Sequence, residues 1–98
     1  MSQQIHLIAR LAPREGREAA LVQAVAAIVP AVLKEPGCLV YTAHDSRERP
    51  GTIVMYEVWE SQAALDVHAA GPNFGALAAR FDELLDEPLA IEHLRKID

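Results

Sequence analysis

Cysteine is nearly missing from this chain. Cys38 stands alone, so no internal disulfide and no multi-cysteine metal site can form, which fits a reducing compartment. With no evident activating partner it is most simply a small buried apolar residue, not a nucleophile. Basic residues are few as well: nine Lys and Arg face fourteen Asp and Glu, for a net charge of −5. None of the cations cluster, so a nucleic-acid partner, which needs grouped charges to displace phosphate counterions, is not expected. No stretch reaches the roughly eighteen apolar residues of a membrane span. Met1 to His6 also lack the basic region and apolar core of a secretion signal, so the expectation is a soluble cytoplasmic protein with no membrane partner. Glycine-rich phosphate loops, a GxSxG elbow and CxxC pairs are all absent. The four histidines, His6, His44, His68 and His93, follow no metal-ligand spacing, so neither a metal nor a conventional nucleotide cofactor is expected.

Aromatic residues are scarce too: one Trp, two Tyr and two Phe. Most buried area must therefore come from Leu, Val, Ile and Ala, and each aromatic position becomes informative. The 98 residues contain no Gly/Ser/Pro-rich linker and read as one domain, residues 1–98. So small a chain has an unfavourable surface-to-volume ratio, and pairing with a second copy would add apolar burial. A homodimer is expected.

Along the chain, Ile5, Leu7, Ala9 and Leu11 alternate with His6, Ile8 and Arg10, the period of a strand, which Pro13 ends. Leu21, Val25, Ile28 and Val32 recur at helical spacing within residues 19–34. Pro30 falls inside that pattern and predicts either a kink or an early helix end. Glu35-Pro36-Gly37 stops the helix. Two strands follow, 38–45 and 52–60, rich in Val, Ile, Thr, Tyr and Trp and joined by the polar stretch 46–51, which reads as an antiparallel hairpin. Ser61 is a natural N-cap for a helix over 62–69. After the Gly71-Pro72 break, Phe74, Leu77, Ala78, Phe81 and Leu85 form one apolar stripe. Residues 89–97 alternate as a last strand. The order β-α-β-β-α-β predicts an α+β fold, the ferredoxin-like split βαβ arrangement, with a four-stranded antiparallel sheet and both helices on one face. Sheet-to-sheet packing of two copies would cover the other face.

If the hairpin pairs His44 with Ile53, then Cys38, Val40, Thr42 and His44 share a face with Ile53, Met55, Glu57 and Trp59, while Leu39, Tyr41 and Ala43 join Val54, Tyr56 and Val58. The first set carries the polar groups and is assigned to a pocket beneath the helices. Glu57 lies between apolar strand residues, where a carboxylate needs a partner or a cavity and its pKa tends to rise. It is either a proton acceptor or a surface group paired with an arginine such as Arg10. Trp59 offers a wall for a planar ring, or else core packing. His44 and His68 could exchange a proton near neutral pH, or serve as structural residues.

Three segments carry a family resemblance: Glu35-Pro36-Gly37-Cys38-Leu39-Val40-Tyr41, Tyr56-Glu57-Val58-Trp59-Glu60-Ser61, and Ala64-Leu65-Asp66-Val67-His68 followed by Pro72-Asn73-Phe74. Together they resemble the antibiotic biosynthesis monooxygenase domain, in particular its quinol monooxygenase branch. The resemblance implies a dimeric α/β barrel that oxygenates a quinol-like or polyphenolic aromatic with dioxygen and no cofactor. On that reading Glu57 or His44 is catalytic and takes the phenolic proton, Trp59 flanks the ring, and His68, Asn73 and Phe74 complete substrate binding at the mouth. The chain departs from the family in three places. Many relatives have His-Phe where Asn73-Phe74 stands, and an amide cannot transfer that proton. Haem-degrading relatives would carry a ligand histidine near Ala78, which disfavours haem chemistry. Met55 stands where oxygenating members have asparagine. Two other readings remain open: an isomerase or processing enzyme for a small, possibly phosphorylated carbonyl compound of the autoinducer-processing type, with Arg10, Lys34 and Arg80 as candidate cations, and a noncatalytic dimeric protein that binds an aromatic ligand.

Overall fold

A computed structural model describes residues 3–98. Strand β1 (Ile5–Leu11) leads into helix α1 (Glu18–Val32), then the hairpin of β2 (Cys38–Asp45) and β3 (Ile53–Trp59). Helices α2 (Gln62–Ala70), α3 (Pro72–Ala78) and α4 (Phe81–Leu84) follow, and β4 (Ala90–Leu94) closes the order. The sheet runs β2-β3-β1-β4, and every pairing is antiparallel. This is the ferredoxin-like α+β arrangement.

Each element forms for a local reason. Helix α1 runs through Pro30 and ends two residues later at Val32, so the missing amide falls in the last turn, where its loss disturbs little of the ladder. Leu21, Ala24, Val25 and Val32 are its buried stripe. Gly37 then takes φ +82°, a left-handed turn that sends the chain straight into β2. Ser61 caps α2, its hydroxyl accepting the Ala64 amide at 3.1 Å. Gly71 ends α2, and Pro72 opens α3 from its first turn. The single stripe expected after Pro72 is divided between α3 and α4 by a tight turn in which the Arg80 amide donates to Leu77.

Alternation on β1 and β3 sets the layers. Leu7, Ala9 and Leu11 are buried under the helices with Ile53, Met55, Glu57 and Trp59, and from β2 Tyr41 joins them. All of these except Glu57 join Leu21, Val25, Val32, Leu77, Leu84 and Leu85 in the hydrophobic core. The opposite face has no helix over it. It carries His6, Ile8 and Arg10 of β1 beside Val54, Tyr56 and Val58 of β3, with Thr42 and His44 at the β2 edge.

The hairpin corrects the expected register. Cys38 pairs with Trp59 as an even ladder would have it, but between Cys38 and Val40 the ladder shifts, and beyond it His44 pairs with Val54, not Ile53. Leu39 is an extra residue in β2, a bulge, and it turns every following β2 side chain to the other face. Tyr41 therefore goes inward and is 3% exposed. His44 goes outward, where its Nε2 lies 2.8 Å from the Thr42 hydroxyl. The assignment of Val40, Thr42 and His44 to the pocket face is overturned by this one inserted residue.

Candidate active site

Between the sheet and α2–α3 lies a cavity of about 110 Å³. Its floor is Leu7, Ala9 and Leu11 of β1 with Met55 and Glu57 of β3 and Tyr41 of β2; Leu65, His68, Ala69, Phe74 and Leu77 roof it, and Leu89 and Ile91 stand at the β4 side. Ala69 and Ile91 are exposed, so the cavity opens between α2 and β4. Only three polar side chains, Tyr41, Glu57 and His68, interrupt an apolar wall.

Strand alternation delivers Glu57 into this layer, where it is buried. One carboxylate oxygen accepts the Trp59 indole N–H at 3.0 Å. Burial pushes the carboxyl pKa above its ordinary value, and the like charge of Glu35 adds to the rise, while the Trp59 hydrogen bond and nearby His68 pull part of it back. A carboxylate in such surroundings is a stronger base than one in water. Burial also pushes the Tyr41 hydroxyl up, with the Glu57 charge second, so Tyr41 stays a neutral donor. The Cys38 thiol is raised by the same burial and by Glu35 and Glu57, which keeps it protonated and unreactive.

His68, 4% exposed, comes from the last turn of α2. Its Nδ1 lies 2.9 Å from Glu35 Oε1, and Asn73 Nδ2 donates to the other Glu35 oxygen at 2.8 Å. A carboxylate only accepts, so Nδ1 carries the proton in this pair and Nε2 holds the lone pair of the neutral ring. Three aromatic rings pack on the imidazole: Trp59 with centroids 4.5 Å apart and planes tilted by 31°, Tyr41 at 5.6 Å and Phe74 at 5.6 Å. Phe74 is in turn met edge-on by Phe81. No fully enclosed side-chain nitrogen or oxygen among the described residues lacks a hydrogen-bond partner. Tyr41, Glu57 and His68 all line the cavity.

The residues singled out in the sequence thus separate. Glu57, His68 and Phe74 converge on the cavity. Trp59 is fully enclosed, donates to Glu57 and packs on His68, and it is not among the cavity-lining residues. Asn73 lies outside the lining and braces Glu35. His44 is on the far side of the sheet. Two residues that belong to the site were not singled out: Tyr41, hidden by the bulge, and Glu35, which signalled only a helix end. The presence of Glu35 in the motif that carries the resemblance was the available signal. Among the described residues, no cluster of three or more His, Cys, Asp or Glu could hold a metal ion, and no helix is long and apolar enough to cross a membrane.

Comparison with known proteins agrees with this architecture. The family model described as antibiotic biosynthesis monooxygenase matches residues 4–80. Mycobacterium tuberculosis Rv0793 is 32% identical over 98 residues, covering 100% of this chain and 96% of that protein, and its solved structure superposes with a TM-score of 0.90 over 98% of this chain and 97% of the other. The crystal structure of PA3566 from Pseudomonas aeruginosa, 30% identical, gives a TM-score of 0.91 over 100% and 98% of the two chains. The Escherichia coli K12 protein named "Probable quinol monooxygenase YgiN" is 36% identical over 75 residues, 68% of this chain and 72% of that one. This chain belongs to the antibiotic biosynthesis monooxygenase family.

Proposed function

We propose that the protein is a cofactor-independent monooxygenase acting on a small hydroxylated aromatic of the quinol type, with dioxygen as cosubstrate. The observation that carries this reading is a buried carboxylate lining an otherwise apolar cavity. The cavity, about 110 Å³, is smaller than the ~150 Å³ apolar cavity that admits benzene, so on this reading the substrate reaches out past Ala69 and Ile91.

Glu57 takes one phenolic proton, which moves the negative charge from the carboxylate to the ring oxygen without changing the charge of the cavity. The apolar walls leave that anion poorly solvated and so a better reductant. The quinolate gives an electron to dioxygen, the two radicals join at the neighbouring ring carbon, and the new peroxide is protonated from Glu57. Loss of water from the hydroperoxide leaves a hydroxyquinone. Overall, quinol and dioxygen give hydroxyquinone and water, one oxygen atom entering the ring and the other leaving.

Arg10 pairs with Glu92 and Arg80 with Glu83. Neither they nor Lys34 line the cavity, which weighs against a phosphorylated carbonyl substrate. The helix-free sheet face, bearing Ile8, Val54 and exposed Tyr56, supports a homodimer through that face. A stable monomer at micromolar concentration in light scattering would remove the dimer.

The test is oxygen consumption by protein stripped of metals and flavins, with a panel of hydroquinones and polyphenols, against buffer autoxidation. Protein-dependent uptake that falls about 100-fold or more in Glu57→Gln supports the reading. No uptake above buffer with any phenol, or an unaffected Glu57→Gln, overturns it.

A further inference from the structure

We propose that Glu35 and His68 form a carboxylate–imidazole pair that presents His68 Nε2 to the same cavity as a second base, with Glu35 and Asn73 as positioning residues. The proposal deepens the reading above and rests on it. Its structural basis is separate: the pair joins three stretches of chain, the turn after α1 (Glu35), α2 (His68) and the start of α3 (Asn73).

A histidine held only for packing would have both ring nitrogens satisfied by the protein. Here Nδ1 is fixed by Glu35 at 2.9 Å, which leaves Nε2 outside that pair, on a residue that lines the cavity. Glu35 fixes the tautomer, as the carboxylate behind a catalytic imidazole does, and stabilises the imidazolium when it forms. The charged and titratable groups around the ring are Glu35, Glu57 of β3, and Tyr41 and Cys38 of β2. Tyr41 and Cys38 stay neutral.

The reaction has a second proton to remove. Glu57 takes and returns the phenolic proton, but loss of water from the hydroperoxide also removes the ring C–H proton next to the new oxygen. In our assignment His68 Nε2 accepts that proton as the C=O bond forms and the O–O bond breaks, then passes it to the departing hydroxide. The water so released carries one proton from each station, and both residues return to their starting states.

Two measurements test this, the first without turnover. In protein labelled with nitrogen-15 histidine, NMR should show His68 protonated at Nδ1, that preference should weaken in Glu35→Gln, and Nε2 should shift when 4-nitrophenol is added anaerobically. A ring protonated at Nε2, or an Nε2 signal unmoved by saturating 4-nitrophenol, overturns the assignment whether or not the protein oxygenates quinols. The second measurement uses ring-deuterated hydroquinone. His68→Gln should lower kcat about 100-fold with little change in KM and raise the deuterium isotope effect on kcat, and Glu35→Gln should displace the acid limb of the pH profile. Wild-type turnover with His68→Gln unchanged overturns the second base and leaves the monooxygenase reading intact. Absence of wild-type uptake overturns the monooxygenase reading and the base's role with it, whatever the NMR shows of the tautomer.

Discussion

Replacing Glu57 by glutamine removes a charge while leaving the shape and the hydrogen bond in place, since the amide oxygen can still accept the Trp59 N–H. In the native chain the folded-state pKa of Glu57 is raised, burial being the largest cause, so the folded protein holds this proton more tightly than the unfolded chain does. Stability from the neutral carboxyl is therefore complete below the ordinary value of 4.5 and is lost as pH rises through the folded-state value. Glutamine stays neutral at every pH, so its advantage opens across that window. A tenfold difference in proton affinity is worth about 1.4 kcal/mol. We expect Glu57→Gln to be the more stable protein near pH 8, each 1 kcal/mol of the advantage appearing as roughly 4–8 °C in Tm for a chain of this size. Near pH 4 the two should melt together. Circular-dichroism melts of both proteins at three pH values give the comparison. A variant that melts at or below the wild type near pH 8, or with the same offset at every pH, would refute the argument that Glu57 is buried at the expense of stability.

Trp59→Phe removes the indole donor from a buried carboxylate and should cost about 2–3 kcal/mol near neutral pH, read from urea denaturation, with the loss smaller near pH 4, where the carboxyl is neutral. Gly37→Ala places a methyl 2.6 Å from the Ala64 side chain at φ +82°, and should destabilise by about 2 kcal/mol or more, measured the same way. His44→Gln, on the outer sheet face, should leave kcat/KM for quinol oxygenation within about twofold of wild type; a larger loss in steady-state oxygen uptake would contradict the bulged register. Leu77→Ala enlarges the cavity from its roof and should cost about 2–5 kcal/mol in the same urea titration while admitting bulkier quinols, seen as a lower KM for them.

The sheet and helices were legible because each strand keeps its period of two and α1 keeps its period near 3.6 over several turns. Ser61, Gly71-Pro72 and Glu35-Pro36-Gly37 mark boundaries by local chemistry that tertiary packing does not override. The division between α3 and α4 was not legible, since the apolar stripe from Phe74 to Leu85 continues across a turn whose only signature is backbone geometry at Ala79 and Arg80. Glu57 was legible as a site residue because a carboxylate among apolar strand positions must find either a partner or a cavity. Glu35 was not, because its position before proline already accounted for it, and its pairing with His68 joins residues 33 apart in sequence that only the packing of α2 brings together.

Leu39 decides which chemistry the hairpin offers. In an even ladder, Val40, Thr42 and His44 would face the helices, and the cavity would hold a second histidine on its floor with no carboxylate to orient it. The bulge exchanges that set for Tyr41, whose ring packs on His68 at 5.6 Å and which lines the cavity. It does so immediately after Gly37, whose left-handed turn fixes where Glu35 stands. Two nearby backbone irregularities therefore accompany the Glu35 contact with the imidazole and the Tyr41 ring packed against it. The Tyr41 contact would be lost to a one-residue change in register that leaves hydrophobic composition and strand length untouched, whereas Glu35 lies before the shift. The inserted residue is itself exposed and contributes little packing, so its effect on the site comes through register alone.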